Sequence, residues 1–333
     1  MRMAWRLAAA ALSLTLGAAV GACGTTNPSA TRAGGGPTIT LYTSVTQNTV
    51  DAVVAGFKKA HPGATVTVFR ATTGQLNARI AGDQRSGGLR ADVIWGTDPL
   101  SMQNYADQRL LKAWPVPDVA GVPSQVRAQY FWGTRILYMV IVAHRGLAPS
   151  PTSWADLTQP AYRGKVALPD PAAAGSAFAA LGYFALTPGF GIDYYQRLKA
   201  NGAVQVATVP EVVTDVASGR YQVGVTLDSE VRTAVAAGSP VTLVWPSGGA
   251  IALYSPIAET ASTRHAAAAN DLLRYVLSAD GQRRIAETGW QPVLPGIAGP
   301  AKPPGATSVS PDWTQLFGQQ RQLLQQYQAI FGA

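Results

Sequence analysis

The chain has one cysteine and three histidines among 333 residues, and these shortages limit its chemistry. A single thiol, Cys23, can form neither an intramolecular disulfide nor a cysteine cluster for a metal. His61, His144 and His265 lie far apart and form no HxxxH or HExxH pattern, which argues against a zinc site. The sequence also has no GxSxG nucleophile elbow. We therefore expect no enzymatic activity, no metal and no cofactor.

Charged residues are also scarce, at 13% of the chain, while apolar residues make up 47%. This balance predicts a packed globular protein and argues against disorder. The formal net charge is +8, but the arginines are scattered singly and no block alternates them with aromatic residues. Nucleic acid is therefore not an expected partner. Attraction to anionic lipid or anionic solutes fits the diffuse positive charge better.

The N-terminus has the pattern of a secretory signal. Arg2 and Arg6 precede an apolar run from about residue 7 to 20, which is shorter than the roughly 20 residues that span a bilayer. The run ends in Val-Gly-Ala-Cys23, which resembles the lipobox of bacterial lipoproteins. The resemblance implies removal of residues 1–22, fatty acylation of Cys23, and a position on the outer face of the cytoplasmic membrane. An ordinary secretory signal with a chance cysteine is the alternative.

Residues 23–37 are polar and glycine-rich, as is typical of a flexible tether. After it, alternating and helical patterns predict strand, helix, strand, helix, strand between residues 38 and 95, hence a parallel α/β sheet. Ligands of such sheets bind beyond the carboxyl ends of the strands. Helix capping explains any one polar residue there, but three groups at one edge predict a binding site. These candidate ligand-binding residues are Thr43, Ser44, Thr72, Thr73, Thr97 and Asp98.

Two long apolar stretches, 133–142 and 249–255, predict strands that cross between two lobes. We expect lobe 1 to comprise residues 38–135 and 250–300, and lobe 2 residues 136–249. Residues 301–333 form a C-terminal segment whose lobe is open. Within it, 313–331 has apolar residues at helical spacing and predicts one helix packed on the body of the protein.

Several short motifs occur in the order found in one transport family: 39–44 (ITLYTS), 91–95 (ADVIW), 104–111 (NYADQRLL), 154–166 and 278–282 (SADGQ). In this respect the chain resembles the extracellular solute-binding proteins of ABC importers, in the branch that includes ferric-iron, thiamine, polyamine and 2-aminoethylphosphonate binders. The resemblance implies a type II periplasmic-binding-protein fold, α/β, with two lobes of mostly parallel sheet joined by crossing hinge strands. It also implies a monomer that closes on a small solute and works with a permease and an ATPase. A solute sensor with the same fold remains open.

Ferric binders of this branch use a tyrosine pair, which directs attention to Tyr194 and Tyr195. In those relatives the pair follows the strand matching 221–227, where this chain has Asp228, Ser229 and Glu230. Adjacent residues of a helix point about 100° apart and do not readily share a metal. We therefore expect the two tyrosines to pack in the protein, which disfavours iron.

Gly175 and Ser176 match the place where relatives hold an anion at a helix N-terminus. Free backbone N–H groups and the helix dipole favour a phosphate or carboxylate there, although Ser176 could instead cap the helix. Asp98 and Asp228, with Ser229 beside the latter, would repel a pure anion and pair with an amine. The expected ligand is a small anion or zwitterion, with a phosphonate favoured; ferric iron, polyamine and thiamine are the alternatives.

Overall fold

The structure, a computed structural model, describes residues 38–115, 119 and 121–332. The expected signal peptide, Cys23 and the tether lie outside the described residues. In the described ranges, no helix is long and apolar enough to cross a membrane.

Strands and helices alternate along most of the chain. The strands are β1 (Thr38–Thr43), β2 (Thr65–Arg70), β3 (Val93–Trp95), β4 (Trp132–His144), β5 (Val166–Pro169), β6 (Val204–Val206), β7 (Val223–Leu227), β8 (Val241–Val244), β9 (Ala250–Glu259), β10 (Gln291–Pro292) and β11 (Ser308–Val309). The helices are α1 (Gln47–Ala60), α2 (Thr73–Arg85), α3 (Pro99–Asp107), α4 (Gly175–Leu186), α5 (Asp193–Ala200), α6 (Val209–Ala217), α7 (Asp228–Ala236), α8 (Ala266–Val276), α9 (Ala279–Glu287), α10 (Trp313–Phe317) and α11 (Gln320–Phe331).

The strands form one sheet in the order β2-β1-β3-β9-β4-β7-β5-β6. At one end β1 pairs in parallel with β2 and β3, and at the other end β5 pairs in parallel with β6 and β7. The long strands β4 and β9 run antiparallel to each other between these two groups. The predicted crossing strands are thus confirmed as neighbours at the centre of the sheet.

Both faces of β4 are covered, because its side chains alternate between two hydrophobic clusters. Leu137 and Met139 belong to one cluster, and Tyr138 and Val140 belong to another. A strand buried on both faces has a continuous apolar sequence and no alternation with polar residues. This is why the long apolar stretch at 133–142 indicated a strand at the centre of the fold.

The C-terminal segment differs from the expectation of one helix. The helical pattern is interrupted at Gly318 and Gln319, which separate α10 from α11. The second helix packs on α4 and α5, where the Tyr327 ring lies edge-on to Tyr195 with centroids 5.2 Å apart. Packing on the body of the protein is therefore confirmed, and the single continuous helix was wrong.

Candidate ligand-binding site

A cavity of about 160 Å³ lies between the carboxyl ends of the two parallel groups of strands, which run antiparallel to each other. Its walls come from both parallel groups of strands and from β4 between them. Ser44, Arg70 and Thr97 follow or end strands of the β1-β2-β3 group, and Leu227 ends β7 of the other group. This is the position at which open α/β sheets bind ligands.

The cavity is surrounded by the N-termini of five helices. Thr46, Thr72 and Thr208 are the N-cap residues of α1, α2 and α6; Gly175 begins α4, and Glu230 lies in the first turn of α7. This convergence follows from the fold, because each of these helices starts just after a strand whose carboxyl end faces the cavity from one of the two parallel groups. The positive end of each helix dipole is thereby directed toward the cavity, which favours a negatively charged ligand.

The helix N-termini differ in how far their backbone donors are already satisfied. The Thr72 side chain forms a capping box with Gln75, and the Thr208 hydroxyl accepts a hydrogen bond from the Glu211 amide. Helix α4 begins without a side-chain cap. Helices α1 and α7 also begin without a side-chain cap, so the N-termini of α1, α4 and α7 are the ones with backbone donors available to an anion.

A buried arginine reaches the cavity from the central strand. Arg135, on β4, is 1% exposed, and its Nε and Nη1 atoms have no hydrogen-bond partner among the described residues. Its guanidinium carbon lies 4.0 Å from the centre of the Trp290 ring, a cation–π contact. Burial lowers the pKa of Arg135 to about 9, with the Glu230 carboxylate opposing this shift and Arg70 adding to it. The guanidinium thus remains charged at neutral pH.

Two further charged side chains line the cavity. Arg70 is exposed, and its Nε donates to the carbonyl oxygen of Val45 over 2.7 Å. Burial raises the pKa of Glu230, while Arg135 and Arg70 act in the opposite direction. The cavity therefore holds two guanidinium groups against one carboxyl group, and the helix N-termini add to the positive side.

Six of the ten predicted ligand-binding residues line this cavity: Ser44, Thr72, Thr73, Thr97, Gly175 and Ser176. The Ser44 and Thr97 hydroxyls lie 2.9 Å apart and bond to each other. Thr73 and Ser176 are buried, and neither hydroxyl bonds to another part of the described chain. The fold thus brings these residues from separate strand ends and helix starts to one cavity, and their role in ligand binding stays a prediction.

The structure places the other four predicted residues outside the cavity lining. The Thr43 hydroxyl donates to the carbonyl oxygen of Trp95 over 2.8 Å. Asp98 caps α3 by accepting from the Ser101 amide over 2.8 Å, and it is fully buried. Asp228 forms an ion pair with Arg232 over 3.1 Å. Ser229 follows in the first turn of α7 with its hydroxyl oxygen buried and unpaired within the described residues.

The sequence reasoning did not include Arg135, Trp290, Glu230, Arg70 or Thr208 among the site residues. One signal was available for Arg135, because it is the single charged residue within the apolar run 133–142. A charge in a strand expected to be buried on both faces has few reasons to be there other than binding.

The tyrosine pair belongs to the hydrophobic core, as expected. Tyr194 and Tyr195 lie on α5 and are buried, and the Tyr194 hydroxyl donates to the carbonyl oxygen of Trp154 over 2.7 Å. Across the described ranges, no group of three or more histidine, cysteine, aspartate or glutamate side chains is arranged to hold a metal ion.

Sequence comparison now identifies the family. Residues 39–291 match the family described as bacterial extracellular solute-binding protein. The chain belongs to this family. Its members act outside the cytoplasm, as the description states.

The curated relative with a matching sequence is also a binding protein. The spermidine/putrescine-binding periplasmic protein of Escherichia coli (strain K12) is 28% identical over 177 residues, which are 51% of this chain and 49% of that protein. The chain thus spans about half the length of the curated relatives it matches.

Solved structures of periplasmic binding proteins have a similar fold. AfuA from Actinobacillus pleuropneumoniae, a periplasmic binding protein with exogenous fructose-6-phosphate bound, superposes with a TM-score of 0.79 at 17% identity, over 88% of this chain and 98% of AfuA. Iron-bound HitA from Pseudomonas aeruginosa has a TM-score of 0.77 at 20% identity, over 89% of this chain and 99% of HitA. At these identities the likeness establishes the fold, which is the mixed α/β, two-lobed fold of periplasmic binding proteins, with a mostly parallel sheet.

Proposed function

We propose that this protein is the solute-binding component of an ABC importer and that it captures a small phosphorylated or phosphonate-bearing solute between its two lobes. The permease and ATPase of the importer are the partners this role requires. Lobe 1 comprises residues 38–135 and 250–300, and lobe 2 comprises residues 136–249. The cavity lies where the two meet.

The observation that carries the ligand class is the buried Arg135. A guanidinium group taken out of water without hydrogen-bond partners costs several kcal/mol, and stacking on Trp290 returns only about 2 kcal/mol. A phosphoryl oxygen in the cavity would supply the missing acceptors in a charge-assisted hydrogen bond. The uncapped N-terminus of α4, with Ser176 in its first turn, offers further donors to the same group.

The same charges argue against polyamine and iron, two of the ligand types named for the relatives. A polyamine carries several positive charges, and this cavity presents Arg135 and Arg70 with only Glu230 to oppose them. A ferric ion requires hard anionic ligands, and Glu230 is the one carboxylate that lines the cavity. Polyamine and iron remain alternatives to be tested in the same experiment.

Glu230 gives the cavity a carboxyl group that could pair with the amine of a zwitterionic ligand. Its carboxyl group is directed toward the cavity lining from α7, and it is the residue available there to pair with an amine. Asp98 and Asp228, which the sequence offered for this role, are held by Ser101 and Arg232. An aminophosphonate would place its phosphonate at Arg135 and its amine near Glu230.

Isothermal titration calorimetry with matched ligand pairs tests the proposal. The full chain is titrated with fructose 6-phosphate and fructose, with 2-aminoethylphosphonate and ethanolamine, and with putrescine and ferric citrate. We expect heat of binding from a phosphoryl- or phosphonate-bearing compound and none from its partner lacking that group. Binding of putrescine or ferric ion without binding of any phosphorus-bearing compound would contradict the proposal.

We also propose that the protein is a monomer anchored by a lipid on Cys23 to the outer face of the cytoplasmic membrane. An anchored binder stays beside its importer, and the glycine-rich tether gives it reach. Metabolic labelling with a palmitate analogue should mark the wild-type chain and not Cys23→Ser. Equal labelling of both chains would refute the anchor.

A further inference from the structure

Close contacts beside the cavity join elements that follow the two parallel groups of strands. Helices α2 and α3 follow strands of the β1-β2-β3 group, and α4 follows β5 in the other group. The N-terminal residues of α2 and α3 nevertheless touch the segment 172–175, which leads into α4. Both contacts are made at glycine residues, Gly74 and Gly175.

The contact at Gly175 leaves no room for a side chain. A Cβ atom at this position would lie 2.5 Å from Cγ and 2.9 Å from Cβ of Asp98, and it would overlap the carboxylate oxygen Oδ2. Asp98 cannot easily turn away, because it is fully buried and both of its oxygens accept hydrogen bonds from Ser101, one from the amide and one from the hydroxyl. The Asp98 side chain is thus seated against the first residue of α4.

The contact at Gly74 is similar in kind but less tight. The Gly74 amide donates to the carbonyl oxygen of Ala173 over 3.3 Å. A Cβ atom at Gly74 would lie 2.8 Å from the carbonyl oxygen of Ala172 and 3.3 Å from Cα of Ala173. These neighbours are backbone atoms, so they could give way only by moving the segment that carries α4.

We propose that Gly175 and Gly74 are positioning residues for lobe closure: they allow the N-termini of α3 and α2 to meet the start of α4, with Asp98 seated on Gly175 only when the lobes are closed. This rests on the proposed function in that it needs two lobes that close on a solute, but it does not depend on which solute is bound. A methyl group at position 175 would hold the lobes apart without changing any charge or hydroxyl in the cavity.

Variants that close less readily should bind the ligand more weakly. The apparent affinity of a ligand falls in proportion to the fraction of protein able to adopt the binding-competent state. Gly175→Ala should therefore weaken binding at least tenfold, and Gly74→Ala should weaken it less because its overlap is smaller. Gly82→Ala is the matched control, since a Cβ atom there meets nothing within 4 Å and alanine is favoured in a helix.

Spin-label distances measure closure directly. In the full chain held in detergent and carrying Cys23→Ser, labels are attached through Ala78→Cys on α2 and Thr214→Cys on α6, two exposed positions on opposite sides of the cavity. Double electron–electron resonance then gives the distribution of distances between the two spin labels, with and without fructose 6-phosphate and 2-aminoethylphosphonate. We expect Gly175→Ala to lose the shortest distances, Gly82→Ala to keep them, and Gly74→Ala to lie between.

A second substitution separates the contact from a general loss of structure. Asp98→Gly removes every side-chain atom that a Cβ at position 175 would overlap, and glycine is tolerated as an N-cap at small cost. The double variant Gly175→Ala with Asp98→Gly should recover the short distances. An unchanged distance distribution in Gly175→Ala, or no recovery in the double variant, would overturn the proposal. If no phosphorus-bearing probe binds any variant, the proposed ligand class fails, while the distances without ligand still decide the closure contact.

Discussion

Replacing Arg135 by methionine should stabilise the protein without ligand and remove its affinity for phosphorus-bearing anions. Both effects have one cause, because the guanidinium group is 1% exposed and its Nε and Nη1 have no partner among the described residues. Methionine has a similar length, packs on Trp290, and carries no charge that must be stripped of water. A substitution that raises stability while it lowers ligand affinity is expected where a buried charged group serves binding and does not stabilise the fold.

The sizes of the two effects can be worked from the structure. Exchanging a buried charge for an apolar side chain of similar volume is neutral or stabilising by about 1–4 kcal/mol, part of which is offset by the lost cation–π contact with Trp290. For a chain of this size, that corresponds to a rise in Tm of roughly 2 °C per kcal/mol. Loss of a buried charge-assisted bond to the ligand costs about 2–5 kcal/mol of binding free energy, or roughly 30- to 3,000-fold in affinity.

Thermal unfolding with and without ligand measures both quantities in one experiment. A ligand at 100 times its dissociation constant adds about 2.7 kcal/mol of apparent stability, so wild type should show a clear rise in Tm. Arg135→Met, whose affinity should be at least about 30-fold lower, should show at most about a third of that rise. Arg70→Met serves as the control, since Arg70 is exposed and its loss should weaken binding less. A large fall in Tm of Arg135→Met without ligand, or a ligand-induced rise equal to that of wild type, would refute the reasoning.

Three further substitutions test contacts elsewhere. Lys112→Met should lower the free energy of unfolding in urea by about 1–3 kcal/mol, because it leaves the fully buried Glu259 carboxylate without the ammonium group that lies 2.9 Å away. The double variant Lys112→Met with Glu259→Gln should regain part of this loss. Gln282→Leu should cost about 2–4 kcal/mol by the same measurement, because its buried amide bonds to backbone groups of β4 and of residues 276 and 293. The hydrogen bond from Tyr275 lowers the pKa of Asp280, so the ionised carboxylate stabilises the folded protein above the unfolded pKa of about 3.9, and this stabilisation is lost as the pH falls through the folded pKa. Tyr275→Phe should therefore reduce the acid sensitivity of Tm below about pH 4. An unchanged dependence of Tm on pH would contradict this.

The elements that position the site could be predicted from local pattern because their burial repeats along the chain. Strand β1 has an alternating sequence, helices α1 and α2 have buried residues at helical spacing, and the apolar stretch of β4 predicted a strand that crosses between the lobes. The order of strands and helices between residues 38 and 95 predicted that the ends of β1, β2 and β3 lie together. The six cavity residues named from sequence all belong to such strand ends or helix starts.

The placement of the carboxylates could not be predicted in this way. Whether an aspartate after a strand turns into the cavity or back onto its own helix depends on which donors are near it in three dimensions. Asp98 is held by Ser101, three residues ahead, and Asp228 by Arg232, four residues ahead. Both partners could be named from the sequence. The sequence is equally consistent with Asp98 and Asp228 as ligand-binding residues, and only the folded arrangement decides between the two roles.

The helix N-termini cannot by themselves determine which solute this protein takes. They converge on the cavity because the carboxyl ends of the two parallel groups of strands face each other across it, and that geometry follows from the fold shared with AfuA and HitA, whose structures hold a sugar phosphate and iron respectively. Selectivity must therefore come from side chains added to this common frame. The side chain that we propose for this role is the buried Arg135, whose guanidinium group stacks on the Trp290 ring of the segment that follows α9. Trp290→Leu should therefore weaken binding of the phosphorus-bearing ligand by up to roughly 30-fold through loss of a cation–π contact of about 2 kcal/mol, while Arg135→Lys, which keeps the charge but not the planar fork, should weaken it further. A calorimetric titration in which Trp290→Leu binds as tightly as wild type would show that the position of Arg135 is set by something other than this ring.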